Sequence, residues 1–239
     1  DSFGQDSITA YKREGIDTAH IIVDPEGASG VALIVVDQKG ENYIAVASGV
    51  NANMNKSDVD AIASLFELGD ILLLQLEIPV ETVEYAAQVA YNSGAIVILD
   101  PAPAPGDGLP DSLYPNIDFI LPNEHEAAAL AGEQNDLQVL GQCLIKKGVK
   151  NVIITAGEKG CVWVDQEDFL YYPAHRVEAV DSTAAGDAFA KKLAVMLAKN
   201  EPIKDAIVFA QKAAALSVTK AGAQPSLPTR DQVENSPLF

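Results

Sequence analysis

Apolar residues in this chain fall in short runs with two different rhythms. Up to about residue 50 they form β-type stretches between turn residues: Ala19–Val23, Val31–Val36 and Tyr43–Ala47. Pro25-Glu-Gly27 and Gln38-Lys-Gly40 separate them, and the pattern predicts a small antiparallel sheet after a helix over Ser2–Arg13. From about residue 57 the rhythm becomes strand, helix, strand. Ser57 or Asp58 is the expected cap of a helix running to Leu68. Ile71–Leu76, Ala95–Leu99, Ile117–Leu121 and Val152–Thr155 are continuous apolar runs, as expected of strands buried on both faces. Helices are predicted at Val80–Asn92, Glu124–Ala131 and Leu137–Lys147. A strand pair comes next (Gly160–Asp165, Phe169–Pro173), then helices at Ala185–Asn200 and Ile203–Lys220. This is an α/β chain with a central, mostly parallel sheet flanked by helices.

Composition narrows the picture. Hydrophobic residues make up 48% and charged residues 21% of 239 positions, ordinary for a globular enzyme of one α/β unit spanning residues 1–239. Two separated cysteines, Cys143 and Cys161, make no disulfide framework, so a reducing cytoplasm is expected. No apolar run is long enough to span a membrane, and there is no signal peptide. The chain opens at Asp1 directly in a helical segment, so a preceding segment is expected. A net charge of −18 argues against a nucleic-acid partner. It equally requires that any anionic substrate be met by metal ions, helix N-termini and backbone N–H groups.

In open α/β sheets ligands bind beyond the carboxyl ends of the strands. The four buried runs end in Glu77, in Asp100-Pro-Ala-Pro, in Pro122-Asn123-Glu124 and in Ala156-Gly157. One acid after a strand reads equally well as a helix cap; four such ends together favour a site. The segment Val180-Asp181-Ser182-Thr183-Ala184-Ala185-Gly186-Asp187-Ala188-Phe189 adds chemistry. Small residues open a helix whose first-turn N–H groups and dipole suit an anion, and Asp187 stands beside them. That fits stabilisation of a transferring phosphoryl group, with Asp187 taking a proton from a hydroxyl. Asp187 as a plain helix N-terminal acid is the competing reading.

This segment resembles the C-terminal signature of the ribokinase-like carbohydrate kinases. Leu121-Pro-Asn-Glu-His-Glu126 resembles their Asn-x-x-Glu motif, and Thr155-Ala-Gly-Glu-Lys-Gly160 their nucleotide loop. Gln75-Leu-Glu77-Ile-Pro resembles a sugar-facing strand end. Lys220-Ala-Gly222-Ala-Gln-Pro-Ser226 resembles a loop holding a monovalent cation. The likeness covers essentially the whole chain. It implies ATP-dependent phosphorylation of a sugar primary hydroxyl, ribose by the spelling of the motifs, with Asp187 as base and the N–H groups of Ala184, Ala185 and Gly186 as anion hole. It implies that Glu77 faces the sugar, and that Asn123, Thr155, Gly157, Gly160, Gly186 and Gln211 line the ATP groove. It implies Mg²⁺ near Glu126, and K⁺ held by Asp181, Thr183, Ser217, Lys220, Gly222 and Ser226. Residues 19–50 then include part of a lid that also forms a homodimer contact.

Two departures stand out. The family's Gly-Gly-Lys-Gly-x-Asn sugar motif has no counterpart here, and this sequence resembles the portion of those kinases that lies beyond it. After Phe189, where the family commonly has Asn-Gly-Ala, stand Ala190-Lys191-Lys192. The two lysines face phosphate or mark a surface turn, with the surface turn favoured. A fructokinase, a 2-keto-3-deoxygluconate kinase and an inactive nucleotide-binding domain remain alternatives. His20, His125 and His175 lack metal-ligand spacing; Cys143, Cys161, Trp163 and Tyr171-Tyr172 read as packing residues.

Overall fold

Strands of the central sheet alternate which core they feed, and that alternation builds the molecule. The computed structural model of the chain describes residues 1–36, 42–132 and 136–239. Six strands lie in the order β3 (Ile71–Leu74), β4 (Ile96–Leu99), β5 (Phe119–Ile120), β6 (Asn151–Thr155), β7 (Gly160–Val164) and β8 (Phe169–Pro173). The first four run parallel; β7 and β8 are antiparallel. Val97, Leu99, Ile120, Val152, Ile154, Val162 and Val164 enter one core, with residues of α3 (Val80–Asn92), α4 (Glu124–Ala131) and α5 (Leu137–Lys147). Ile98, Phe119, Ile153, Cys161 and Trp163 enter the other, with α6 (Ala185–Ala198) and α7 (Ile203–Ser217). A period of two therefore serves two cores at once. Burial pushes the Cys161 thiol up to about 12, so it acts as a small apolar side chain.

Before the sheet come α1 (Ser2–Arg13), the antiparallel pair β1 (Val31–Val36) and β2 (Asn42–Ala47), and α2 (Lys56–Ile62). The turn expected at Gln38-Lys-Gly40 lies outside the described residues. Ala19–Val23 is not a strand. It has no pairing partner among the described residues, Asp17 Oδ1 accepts the Ala19 N–H at 2.9 Å, and Ile21 N–H closes a turn on Thr18 O at 3.2 Å. The cap of α2 is Asn55, not Ser57 or Asp58; Asp58 accepts the Asn55 N–H and completes a capping box. That helix ends at Ile62 and tightens into a short turn over Ala63–Leu65. Predicted β5 shrinks to two residues, between the turn at Tyr114–Asn116 and Pro122, which has no N–H. At the end of α7 the chain winds tighter, with Thr219 N–H on Leu216 O and Lys220 N–H on Ser217 O. A short helix, α8 (Arg230–Glu234), is capped by Thr229 and Gln232, a pair the sequence pattern does not single out. Among the described residues no helix is long and apolar enough to cross a membrane.

Candidate active site

The opening of α6 is unusual backbone. Ala184 takes a left-handed conformation at φ 62°, ψ 14°, a region that β-carbon-bearing residues rarely occupy. The helix starts immediately after it. Ala185 N–H donates to Ser182 O at 3.2 Å and Ala188 N–H to Ala184 O at 2.9 Å. Among the described residues, the N–H groups of Ala184, Gly186 and Asp187 meet no hydrogen-bond acceptor. The three N–H groups assigned by resemblance therefore differ: those of Ala184 and Gly186 are open to an anion and that of Ala185 is already engaged. Gly186 is exposed and a Cβ there would meet nothing, so the turn is open to an incoming group. Asp187 stands on this turn, its side chain 41% exposed, with Lys191 Nζ 3.4 Å from its Oδ1.

The strand ends converge on the same place. Asp100 closes β4 and is 9% exposed, with Gln75 Nε2, from the end of β3, donating to it at 3.2 Å. Burial, with further contributions from the charges of Glu126, Asp187 and Glu77, pushes its carboxyl up to about 6, against the opposing pull of the Gln75 hydrogen bond. Carboxylates from three other segments thus bear on Asp100. Asp100, one of the four strand ends read from the sequence as favouring a site, is paired with the half-buried Gln75, to which no role is assigned. The available signal was a polar residue closing an otherwise apolar run. The proline loop after it braces the turn, with Ala102 O accepting the Leu76 N–H at 3.1 Å.

Asn123 and Glu126 hold each other: Asn123 Oδ1 accepts the Glu126 N–H at 2.9 Å and Glu126 Oε2 accepts the Asn123 N–H at 2.8 Å. Their spacing is that of a capping box at the start of α4. Burial raises the Glu126 carboxyl, against the pull of those Asn123 hydrogen bonds. Asn123 also bridges Thr155 at the end of β6, so the two expected groove residues meet. Gly157 opens the following turn. Gly160, at φ 109°, closes it where a Cβ would stand 2.0 Å from Tyr172 O. That same carbonyl accepts from Gln211 Nε2 at 3.0 Å. Gln211 is thus buried and ties α7 to β8, with its amide turned to the backbone.

Asp181 joins two loops. Its Oδ1 accepts the Thr183 N–H at 2.9 Å and its Oδ2 the Gly222 N–H at 2.8 Å. Bonds from Thr183 first, then Gly222, hold its carboxyl below the usual range. The buried Ser217 and Ser226 hydroxyls donate to Ala214 O and Ala223 O, which leaves their oxygens as acceptors. Lys220 is exposed, with its N–H on Ser217 O. Among the described residues no three His, Cys, Asp or Glu side chains form a group that could hold a metal. His20 and His125 are exposed, and the half-buried His175 packs on Phe239 with ring centroids 4.4 Å apart.

Lys191 and Lys192 lie inside α6, within the helix expected over Ala185–Asn200, and Lys191 is on the surface as favoured. Lys192 is half-buried, and desolvation lowers its ammonium. Lys191 meets Asp187 at the i, i+4 spacing, a signal that is present in the sequence.

The family described as pfkB family carbohydrate kinase matches residues 1–230. This chain belongs to that family. The kinase is 40% identical to the ribokinase of Haemophilus influenzae, over 97% of this chain and 76% of the relative. The crystal structure of Thermotoga maritima ribokinase superposes on it with a TM-score of 0.87 at 37% identity, covering 98% of this chain and 77% of that one. Arabidopsis thaliana ribokinase, solved with ribose and ATP, superposes at 0.75 with 30% identity, covering 87% and 69%. The mixed six-stranded sheet, its flanking helices and the small antiparallel sheet of this kinase match the ribokinase fold.

Proposed function

We propose that this carbohydrate kinase acts as one α/β unit that transfers the γ-phosphoryl group of ATP to the primary hydroxyl of D-ribose. The observation that carries the reading is the opening turn of α6. There a left-handed Ala184, the unengaged N–H groups of Ala184 and Gly186, and the Asp187 carboxylate share one open edge of the sheet. The N–H groups receive the oxygens of the transferring group at the positive end of the helix dipole. Asp187 accepts the proton of the sugar hydroxyl as its oxygen attacks. Glu77, exposed beyond β3, faces the sugar. Asn123, Thr155 and the glycine turn at Gly157–Gly160 border the nucleotide, and Gln211 supports that border from beneath through Tyr172. The choice of ribose and ATP follows the ribokinases to which the chain is similar.

The residues fit the two cations that such a reaction calls for. Glu126 has one oxygen in its capping box and the other outside it, and among the described residues no lysine or arginine is ion-paired with Glu126, Asp100 or Glu77, His125 alone easing the Glu126 charge. Mg²⁺ retains several waters and takes few carboxylates, so Glu126 would hold it through water beside the phosphates, whose charge it would neutralise. Asp181, the Thr183 carbonyl, the serine oxygens and the backbone of Lys220 and Gly222 form an oxygen-only set, suited to K⁺. β1 and β2, with Leu33, Val35 and Val46 exposed, serve as a lid that contacts a second copy.

A coupled ADP-release assay with ribose, fructose and 2-keto-3-deoxygluconate, with and without K⁺, tests the reading. Turnover is expected on ribose, stimulated by K⁺. Asp187→Asn should lower kcat by about 10²–10⁴, the range of a general base. Parent-like turnover in that variant would remove Asp187 from the reaction. Nucleotide binding without turnover on any sugar would leave a binding domain.

A further inference from the structure

Among the described residues, Lys191 is the one basic side chain ion-paired with Asp187, Asp100, Glu126 or Glu77. It lies one turn after Asp187 on α6. Helical side chains lean toward the helix N-terminus, so the Lys191 ammonium reaches back over the turn whose N–H groups are open. Its side chain is 51% exposed and that of Asp187 41%. An ion pair so wet is weak and exchanges readily for a stronger anion. Four carboxylates make this edge repel an incoming polyphosphate, and a point charge on a flexible stem is the side chain that can follow phosphate as it moves.

We propose that Lys191 is a catalytic residue of this kinase, a mobile cation that holds Asp187 in the free enzyme and passes to the transferring phosphoryl group when nucleotide and sugar are bound. This rests on the reading of Asp187 given above. In the transfer, the hydroxyl oxygen of the sugar bonds to the γ-phosphorus as the bond from that phosphorus to the β,γ-bridging oxygen breaks. The hydroxyl proton passes to Asp187 and ADP leaves. As Lys191 leaves Oδ1 of Asp187 the carboxylate becomes more basic toward that proton, and the negative charge the lysine moves to is the one that grows on the equatorial phosphoryl oxygens.

The test compares Lys191→Met, Lys191→Arg and Asp187→Asn with the parent, by steady-state kinetics and by calorimetric titration with ATP and with ADP. Lys191→Met should lower kcat by about tenfold to a hundredfold, up to the range for losing one oxyanion donor, with the sugar KM within about twofold. ATP affinity should fall about tenfold while ADP affinity holds, because only ATP carries the γ-phosphoryl group. Lys191→Arg should recover part of kcat. An unchanged kcat with an unchanged ATP-to-ADP affinity ratio would overturn the proposal, and so would a faster Lys191→Met enzyme, which would make the lysine a restraint on the base. Should Lys191→Met melt at a lower temperature, Lys191→Gln gives the same comparison. If Asp187→Asn retains turnover, the site reading fails first; if it is inactive while Lys191→Met matches the parent, only the role of Lys191 falls.

Discussion

Two sets of strands with nearly the same composition meet opposite fates in this molecule. Val31-Ala-Leu-Ile-Val-Val36 pairs with one neighbour, and no described side chain among residues 1–50 is buried. Asn151-Val-Ile-Ile-Thr155 pairs on both edges and is covered on both faces, so Val152, Ile153 and Ile154 are each 0% exposed. β-branched residues mark both segments as strands, yet that propensity states only that a side chain suits a pleated surface. Stability comes from what covers the pleat. Function obeys the same division. Every carboxylate of the candidate site hangs on the doubly covered body, at strand ends or helix starts that packing holds in place. The two-stranded ribbon forms a separate sheet, its strands paired only with each other among the described residues.

The comparison breaks most visibly in the core. Ile153 lies between β5 and β7 and feeds the core under α6 and α7. Ile153→Ala should cost about 2–5 kcal/mol, the lost transfer energy plus a cavity. Urea unfolding measures it. A loss below about 1 kcal/mol would show that the sheet relaxes into the space, and that double coverage is not what distinguishes it from the ribbon.

The same physics decides how much of the molecule is legible in its sequence. Buried strands and amphipathic helices announce themselves because burial on a fixed period leaves a pattern; α3, α4, α5 and β8 fall where that pattern puts them. Pairing leaves no such mark. Ala19–Val23 has the residues of a strand, but its backbone closes local turns because no described partner lies alongside. The Asn123-x-x-Glu126 spacing reads as a binding motif. Its backbone geometry is that of a helix cap, and the two readings coexist because the cap engages only one oxygen of Glu126. Asp100 shows in the sequence as a strand end, but only the folded chain brings Glu126, Asp187 and Glu77 around it. Lys191 is visible as a spacing, but the charge pair needs a helix that continues through it.

Asp100 sharpens the comparison, because it is a polar group that the body buries at a cost. Its carboxyl is raised to about 6 in the fold, against about 3.9 in an unfolded chain. The folded state therefore holds this proton more tightly, and the contribution of Asp100 to stability is greatest below about pH 4. It declines as pH rises through the window to about 6 and is level above it. Asp100→Asn keeps the shape and the contact with Gln75 but removes the ionisation. It should be more stable than the parent by about 2–3 kcal/mol at pH 8, with the gap closing toward pH 4. Melting temperatures of the two proteins across pH 4–8 give the answer. A gap that does not change with pH would mean that the site compensates the Asp100 charge by another route.

The smallest effect belongs to the ribbon, and its smallness is the point. Leu33 and Val35 are 68% and 64% exposed, so replacing them removes almost no buried area. Leu33→Gln and Val35→Thr should each shift unfolding stability by no more than about 0.5 kcal/mol, the usual range for surface positions. The same variants should raise the sugar KM if the ribbon closes over the substrate, since a lid contributes only when ligand is bound. A stability loss as large as that of Ile153→Ala would show that these apolar side chains are covered in solution. The ribbon would then belong to a packed interface, and the contrast between the two kinds of strand would be one of partner rather than of burial.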